Sequence, residues 1–275
     1  MKVIDFHTHL LKKDMLTPTH VRFLEETNPK FFERIDQYAA DPGLFASYLR
    51  SQGVSCAVVL PEYAPATSTF VPTEDVIEYC KGQDMLVPFA SLNPNTHPDP
   101  AIQLRYFVEK CGVKGLKLLP SYQFFYPNEQ RMYPVYSVAE ELGIPVVFHI
   151  GSSLFKGTRM KFCDPIHLDD VAVDFPELKI VMAHSGRGFW YQKCFFLSRL
   201  HRNLYMDVTG LPPKNLLKYF PELEKNRDKV LFGSDWPAMP SEVGNNIEAI
   251  LSLPLRESTV RKILYENAHR LLFGC

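Results

Sequence analysis

The chain has 275 residues, with 30 Lys and Arg against 31 Asp and Glu, and carries a formal net charge of -1 when His is neutral. Hydrophobic residues make up 46% and charged residues 22% of the chain, which excludes disordered and collagen-like proteins. Charge this balanced, without blocks of one sign, argues against a nucleic acid or a membrane surface as partner. We therefore expect a small-molecule substrate.

The cysteines and the apolar runs indicate in which cellular compartment the protein is expected. Near the N-terminus only Lys2 is basic, and Asp5 and His7 interrupt the apolar run, which argues against a secretory signal. Apolar runs elsewhere are shorter than the roughly 18 residues of a bilayer span. We therefore expect a soluble, cytoplasmic protein in which the dispersed cysteines are reduced and mostly buried. The cysteines are Cys56, Cys80, Cys111, Cys163, Cys194 and Cys275.

Eight short segments rich in Val, Ile, Leu and Phe recur along the chain and mostly end in Gly, Pro or polar residues. Near-continuous apolar runs of this kind are typical of parallel strands that are covered on both faces. We therefore predict eight parallel strands. The segments begin at Lys2, Val54, Met85, Gly112, Ile144, Leu178, Asn203 and Lys229.

Helical signals occupy the stretches between these segments. Thr73 opens one stretch as a hydroxyl cap before two acidic residues, and two others end at Gly112 and Gly143. Alternating strands and helices predict an α/β fold, here a closed (β/α)8 TIM barrel formed by residues 1–275 as a single domain. An open doubly wound sheet is the alternative, but no segment is followed by a dinucleotide-binding or P-loop motif.

Two segments depart from a simple barrel repeat. Residues 10–50 are too long for a βα loop and predict an insertion after the first strand, over the mouth where barrel active sites lie. The C-terminal stretch from Arg256 to Phe273 predicts a helix packed on the outside of the barrel.

His7 and His9 stand at the end of the first segment and should point the same way, with Phe6 and Thr8 pointing the other way. Two imidazoles at alternate positions of one strand can reach one point in the barrel mouth. Alone, this H-x-H pair is a weak signal of a metal site.

Three further residues stand at equivalent positions. His149, His184 and Asp235 end the fifth, sixth and eighth segments, at the face where barrel enzymes carry catalytic residues. Separate core histidines would not account for five potential ligands at this one face. Imidazoles and a carboxylate suit Zn(II), and Mn, Fe, Co or Ni can occupy the same kind of site.

The motifs at these positions resemble those of the amidohydrolase superfamily. The resemblance is closest to its amidohydrolase 2 family, which includes aminocarboxymuconate semialdehyde decarboxylase, aromatic-acid decarboxylases and several lactone or amide hydrolases. It covers the whole chain and implies one divalent metal ion held by His7, His9, His149 and Asp235, with His184 beside the metal-bound water. The motifs are H-T-H at 7–9, F-H-I-G at 148–151, A-H-S-G at 183–186, G-S-D-W-P at 233–237 and E-N-A-x-R-L-L at 266–272.

The expected chemistry follows from the cation, which lowers the pKa of bound water from about 15.7 towards about 7. Asp235 is the candidate proton acceptor, and His184 the candidate acid, base or electrostatic stabiliser. The leading hypothesis is a hydrolase acting on a small carboxylated substrate, such as a lactone or an amide.

Two other functions remain open at this point. Non-oxidative decarboxylation of an aromatic or muconate-type acid would need the same ligands. A TatD-like metal-dependent nuclease shares the H-x-H motif, but it has a glutamate after the fourth strand where this chain has Lys117 and Leu118.

Lys117 and Arg187 are the remaining candidates for the site. Lys117 could bind a substrate carboxylate or, when carbamylated, bridge a second metal ion, although the narrower family generally works with one. Arg187 is a candidate for binding a substrate carboxylate through its planar guanidinium. His20 has no strand-end context and is expected to be an ordinary surface or helix histidine. Four aromatic residues could form a homodimer interface or pack on the barrel: Trp190, Tyr191, Phe195 and Phe196.

Overall fold

The computed structural model describes residues 1–274. Cys275, one of the six cysteines, lies outside the described residues. The strands follow all eight predicted segments, and one short hairpin is added to them. The strands are β1 (Ile4–His9), β2 (Cys56–Leu60), β3 (Glu62–Tyr63), β4 (Phe70–Val71), β5 (Leu86–Pro88), β6 (Ala90–Ser91), β7 (Leu116–Leu118), β8 (Pro145–Gly151), β9 (Lys179–Arg187), β10 (Leu204–Asp207) and β11 (Val230–Leu231).

The strands close into a barrel. They pair in parallel in the orders β1-β2-β5 and β6-β7-β8-β9-β10-β11, and β3 and β4 form an antiparallel hairpin outside this series. Strands β5 and β6 are two halves of one barrel strand, interrupted at Phe89, whose amide donates to the Val59 carbonyl oxygen at 3.1 Å. The Phe6 amide donates to the Phe232 carbonyl oxygen at 2.9 Å and joins β1 to β11. The predicted (β/α)8 TIM barrel is therefore confirmed.

Helices surround the barrel, and turn residues set several of their ends. Carboxylates of Asp41 and Asp99 accept from the Leu44 and Ile102 amides, and Gly112 ends one helix with a φ of 76°. The helices are α1 (Pro18–Thr27), α2 (Pro29–Phe32), α3 (Ile35–Ala40), α4 (Pro42–Ser51), α5 (Thr73–Cys80), α6 (Pro100–Cys111), α7 (Pro120–Gln123), α8 (Tyr133–Glu141), α9 (His167–Asp174), α10 (Tyr191–Leu200), α11 (Leu216–Tyr219), α12 (Val243–Leu251), α13 (Glu257–Arg261) and α14 (Asn267–Phe273).

The predicted capping role of Thr73 is wrong. Thr73 is the first residue of α5 rather than the residue before it, and its side chain makes no capping hydrogen bond. Its hydroxyl instead accepts from the Ser91 amide at 2.9 Å and donates to the Ser91 carbonyl oxygen. The Thr73 hydroxyl is therefore hydrogen-bonded to the end of β6 and does not cap α5.

The barrel interior holds an apolar cluster below the mouth. The Phe6 and Phe89 rings meet edge to face at 5.8 Å, and Gly115 leaves the room, since a Cβ there would lie 2.2 Å from the Phe89 ring. The pairing of β1 with β2 shifts register between Asp5 and Thr8. Phe6 therefore belongs to the interior cluster although its neighbour His7 faces the mouth, which corrects the predicted strict alternation.

The C-terminal helix closes the lower end of the barrel. Ala268 and Leu271 of α14 belong to the same cluster as the inward-facing Ile4 and Val181. The predicted helix is present, but its apolar face seals the barrel interior rather than only its outer surface.

The insertion after β1 is confirmed and contains α1 to α3, and α4 follows it before β2. Helix α1 is tied to the β3-β4 hairpin because the Thr17 amide donates to the Ser68 carbonyl oxygen at 3.0 Å and Leu16 bridges to Thr69. His20 and Phe23 of this helix line the cavity in the barrel mouth. The insertion therefore supplies part of the site.

Two observations bear on the expected partners. No helix among residues 1–274 is long and apolar enough to cross a membrane. Tyr191 stacks on Tyr219 at 4.5 Å and Phe195 on Phe220 at 6.2 Å, whereas Phe196 is 63% exposed. The homodimer stays a prediction.

Candidate metal centre

Three of the predicted ligands meet in the barrel mouth. Donor atoms of His7, His9 and Asp235 all lie within 4.8 Å of one another, and all three residues are buried. The Asp235 Oδ1 atom is 3.6 Å from His7 Nε2 and 3.3 Å from His9 Nε2. The Asp235 amide donates to the His7 carbonyl oxygen at 2.9 Å, which holds the loop after β11 against β1. Asp235 has a φ of 61°, a strained conformation that turns its carboxylate into this group.

A second carboxylate orients His7. Asp207, at the end of β10, places its Oδ2 atom 2.6 Å from His7 Nδ1, and both residues are fully buried. Burial raises the pKa of Asp207 to about 7 and lowers that of His7. When His7 Nδ1 donates a hydrogen bond to Asp207, the lone pair of the ring lies on Nε2, as a metal-binding imidazole requires.

His149 and His184 form a second imidazole pair beside the first. Because the Thr209 carbonyl oxygen can only accept, His184 Nδ1 must be the donor at 3.1 Å. Burial lowers the pKa of both imidazoles, so they are neutral and His184 Nε2 accepts from His149 Nδ1 at 3.0 Å. His149 Nε2 is then a buried lone pair, and it has no hydrogen-bond partner among residues 1–274.

The donor set therefore fits a divalent cation. His7, His149 and Asp235 all line the cavity, and imidazoles with a carboxylate are donors that suit Zn(II) and similar ions. His149 is not part of the tight group of three donors. The other predicted residue, His184, lies 3.9 Å from Asp235 Oδ2 through its Nδ1 atom.

Lys117 lies at the floor of this centre. It is 1% exposed on β7, and its Nζ atom is 3.1 Å from His7 Nε2. Burial lowers the pKa of Lys117 to about 8, although Asp235 and Asp207 act against the shift. Both predicted roles, partner of a substrate carboxylate and bridge to a second ion, stay predictions.

Arg187 lies at the end of β9 with part of its guanidinium free. Its Nε and Nη2 atoms donate to the Ser152 carbonyl oxygen at 3.2 and 2.8 Å, whereas the buried Nη1 has no partner among residues 1–274. Gly210 leaves the space beside it, since a Cβ there would lie 2.6 Å from Nη1. Arg187 lines the cavity, as a substrate-binding residue would.

The cavity above these residues has a volume of about 40 Å³. Several residues that line this cavity were not predicted from the sequence. Asp207 had a usable signal, a carboxylate at the end of the seventh strand. His20 lies in a helix, as one of its two predicted settings, but it is buried and lines the cavity rather than the surface. Other lining residues are Leu11, Phe23, Glu62, Leu119, Tyr122, Leu154, Phe155, Ala238 and Met239.

Solved structures share this fold over their full lengths. An uncharacterized TIM-barrel protein from Bordetella bronchiseptica, Bb4693, is 23% identical with a TM-score of 0.82, over 100% of this chain and 99% of that one. The 2,6-dihydroxybenzoate decarboxylase from Rhizobium is 16% identical with a TM-score of 0.71, over 98% of each chain. A 5-carboxyvanillate decarboxylase from Novosphingobium aromaticivorans, complexed with manganese and a nitrobenzoic acid, is 14% identical with a TM-score of 0.69, over 98% of this chain and 95% of that one.

The TIM-barrel fold and the buried donor set at its mouth indicate the class of protein. A family model described as Amidohydrolase matches residues 4–274. The chain belongs to this amidohydrolase family of metal-dependent enzymes, which confirms the resemblance found in the motifs.

Proposed function

We propose that this enzyme hydrolyses a small carboxylated substrate, such as a lactone or an amide, with Asp235 as the proton acceptor. The proposal rests on one observation, namely that the two oxygens of the Asp235 carboxylate face different groups. Its Oδ1 atom faces the Nε2 atoms of His7 and His9, while Oδ2 faces His184 Nδ1 at 3.9 Å. One oxygen is thus positioned to bind a cation and the other to take a proton.

The metal site in this proposal consists of His7, His9, His149 and Asp235. When bound there, a divalent cation supplies Lewis acidity and makes water a stronger acid near neutral pH. We propose Zn(II) from the mixed imidazole and carboxylate donors. Manganese is the alternative supported by the carboxyvanillate decarboxylase that was solved with this ion, and Fe, Co or Ni suit the same donors.

Asp235, His184 and Arg187 have further proposed roles in proton transfer and in substrate binding. Asp235 Oδ2 takes a proton from the attacking water and returns it to the leaving oxygen or nitrogen, so the reaction consumes one water. His184, the proposed acid, base or electrostatic stabiliser, lies beside that oxygen, with its Nδ1 atom 3.9 Å from Oδ2. The free Nη1 group of Arg187 binds the substrate carboxylate, because a guanidinium pairs strongly with that group.

Decarboxylation is the second candidate. Two observations favour it: similar folds belong to dihydroxybenzoate and carboxyvanillate decarboxylases, and the cavity wall carries two cationic residues, Lys117 and Arg187. In this reaction the bond between the substrate carbon and its carboxylate breaks, carbon dioxide leaves, and a proton from the site takes its place on carbon. His184 would stabilise or protonate that carbon.

One assay separates these reactions. The metal-loaded protein is incubated with small lactones, amides, aromatic acids and muconate-type acids, and both acid release and carbon dioxide are followed. Acid without gas is the expected result. Gas release would reverse the order of the two candidates, and cleavage of DNA would instead support the TatD-like nuclease.

The proposed setting of the enzyme is the cytoplasm. The five cysteines among residues 1–274 are all free thiols, as a reducing compartment would leave them. Burial raises the pKa of Cys80 to about 12, which keeps this thiol protonated and unreactive.

A further inference from the structure

A second cavity lies between the segment after β10 and helix α12. Its volume is about 370 Å³, which falls in the range of about 300–1,000 Å³ that is usual for small-molecule sites. Among residues 1–274, none of those assigned to the metal centre lines this cavity. It is therefore a separate candidate for ligand binding.

The walls of this second cavity are apolar side chains from three parts of the barrel. Val208 and Leu211 belong to the segment after β10, Phe232 directly follows β11, and Ala249 and Ile250 belong to α12. Removing apolar walls from water lowers the free energy, so such a cavity favours an apolar ligand. The side chains are mostly aliphatic, which suits an alkyl chain.

A cation stands at the rim of the second cavity. Lys214 lines it and is exposed, and no carboxylate from the described part of the chain lines it. The Ser241 hydroxyl and Asn246, which also line it, pair with each other, since Ser241 Oγ donates to Asn246 Oδ1 at 3.0 Å. A lysine beside apolar walls, without a neighbouring carboxylate, favours an anionic head group on the ligand.

A thin wall separates the second cavity from the metal centre. Gly210 lines the cavity, and a Cβ on it would lie 2.6 Å from Arg187 Nη1 and 3.1 Å from Asp235 Oδ2. Met239 lines both this cavity and the one in the barrel mouth. A ligand in the second cavity would contact Gly210 and Met239 rather than the groups assigned to the metal centre.

We propose that the second cavity binds an aliphatic carboxylate, with the alkyl chain against Val208, Leu211 and Phe232 and the carboxylate at Lys214. The inference goes beyond the proposed function, because this ligand binds outside the barrel mouth and is not the substrate. Its chemical class follows from the apolar walls and the single cation of the lining.

Chain length and cavity volume test the apolar walls. Binding of butanoate, hexanoate and octanoate to the metal-loaded protein is measured by calorimetry. Burial of each added methylene should tighten binding about fourfold, so octanoate should bind at least about tenfold more tightly than hexanoate. Ala249→Phe fills the cavity from α12 and should weaken octanoate binding at least about tenfold. Val173→Phe is the control on α9, where Val173 is 63% exposed, and it should bind octanoate like the wild type.

A second pair of variants tests the charge. Lys214→Gln should weaken octanoate binding about two- to fivefold, as expected for an exposed ion pair, and should leave binding of the uncharged octanol unchanged. Lys218→Gln is the matched control, since Lys218 lies nearby in α11 but does not line the cavity. It should change the binding of neither ligand.

Arg187→Gln distinguishes the second cavity from the barrel mouth. This variant should bind octanoate like the wild type, and a loss of binding would place the carboxylate in the barrel mouth and overturn the proposal. Unchanged octanoate binding in a folded Ala249→Phe variant would also overturn it, as would affinities that do not depend on chain length or an absence of binding at millimolar concentrations. If Ala249→Phe does not fold, Lys214→Gln and the chain-length series decide. Calorimetry needs no turnover, so a negative result here leaves the proposed hydrolysis standing.

Discussion

At the scale of single residues, the metal centre is a set of buried groups that fix one another's protons. Asp207 holds the Nδ1 proton of His7, and the Thr209 carbonyl oxygen holds that of His184. Through His184, the same constraint reaches His149. Two hydrogen-bond acceptors thereby place one lone pair on His7 Nε2 and one on His149 Nε2, the atoms proposed to bind a cation.

The first prediction concerns the proposed proton transfer. Asp235→Asn and His184→Asn should each reduce kcat by about two to four orders of magnitude, the usual loss for a general acid or base. Steady-state kinetics on the substrate found in the assay would measure this. His201→Asn is the control, since His201 pairs with Asp169 outside the cavity and should leave kcat unchanged. A His184→Asn enzyme with near-wild-type rates would remove His184 from the mechanism.

The second prediction concerns the orientation of His7. Asp207→Asn removes the charge 2.6 Å from His7 Nδ1 and should weaken metal binding about ten- to a hundredfold. Competition with a chromophoric chelator measures the affinity. Asp164→Asn, which breaks an ion pair with Lys193 away from the centre, is the matched control. If the Asp207→Asn variant and the wild type had equal metal affinities, Asp207 would not orient His7 for metal binding.

At the scale of elements, the barrel is closed at both ends by segments that are not barrel strands. The insertion places α1 over the mouth, and α14 seals the lower end with Ala268 and Leu271. Helix α14 adds apolar side chains to the interior cluster, whereas α1 adds His20 and Phe23 to the lining of the cavity. The eight strands alone would leave the interior cluster open to water at its lower end.

The third prediction tests the lower closure. Leu271 is 3% exposed, so Leu271→Ala should lower the free energy of unfolding by about 2–5 kcal/mol through lost burial and a cavity. Phe273→Ala, two residues away and 51% exposed before substitution, should cost less than about 1 kcal/mol. Urea unfolding of both variants measures the difference. Equal costs would mean that α14 packs only on the outside, as the sequence predicts.

At the scale of the whole molecule, we expect metal binding and folding to be coupled. The candidate ligands come from β1, β8 and the loop after β11, so they lie together only in the folded barrel. A cation that binds the folded state and not the unfolded chain stabilises the fold by mass action.

The fourth prediction follows from this coupling. Removing the metal with a chelator should abolish activity and lower Tm, and adding Zn(II) or Mn(II) should restore both. Metal analysis should find one ion per chain. Clearly two ions per chain would instead favour a carbamylated Lys117 as a bridge, because its Nζ atom lies 3.1 Å from His7 Nε2. A chelator-treated protein with unchanged Tm and activity would contradict the metal site.

Local sequence patterns predict much of this architecture. Strand periodicity and turn residues act over a few positions, so the eight apolar segments predict the eight barrel strands. The same patterns place His149, His184 and Asp235 at strand ends, which is enough to expect a site at the mouth. The register shift in β1 is different, since it depends on pairing with β2, and it turned Phe6 to a side that alternation does not predict.

The sequence by itself therefore determined the barrel, its family and the face that carries the site, because backbone periodicity and strand-end chemistry are local. Only the tertiary structure decided which partners complete the site. Asp207 meets His7 across 200 positions, and His20 reaches the cavity through the packing of the insertion. Such contacts depend on how distant segments of the chain pack together. The residues next to a side chain in the sequence do not indicate these contacts.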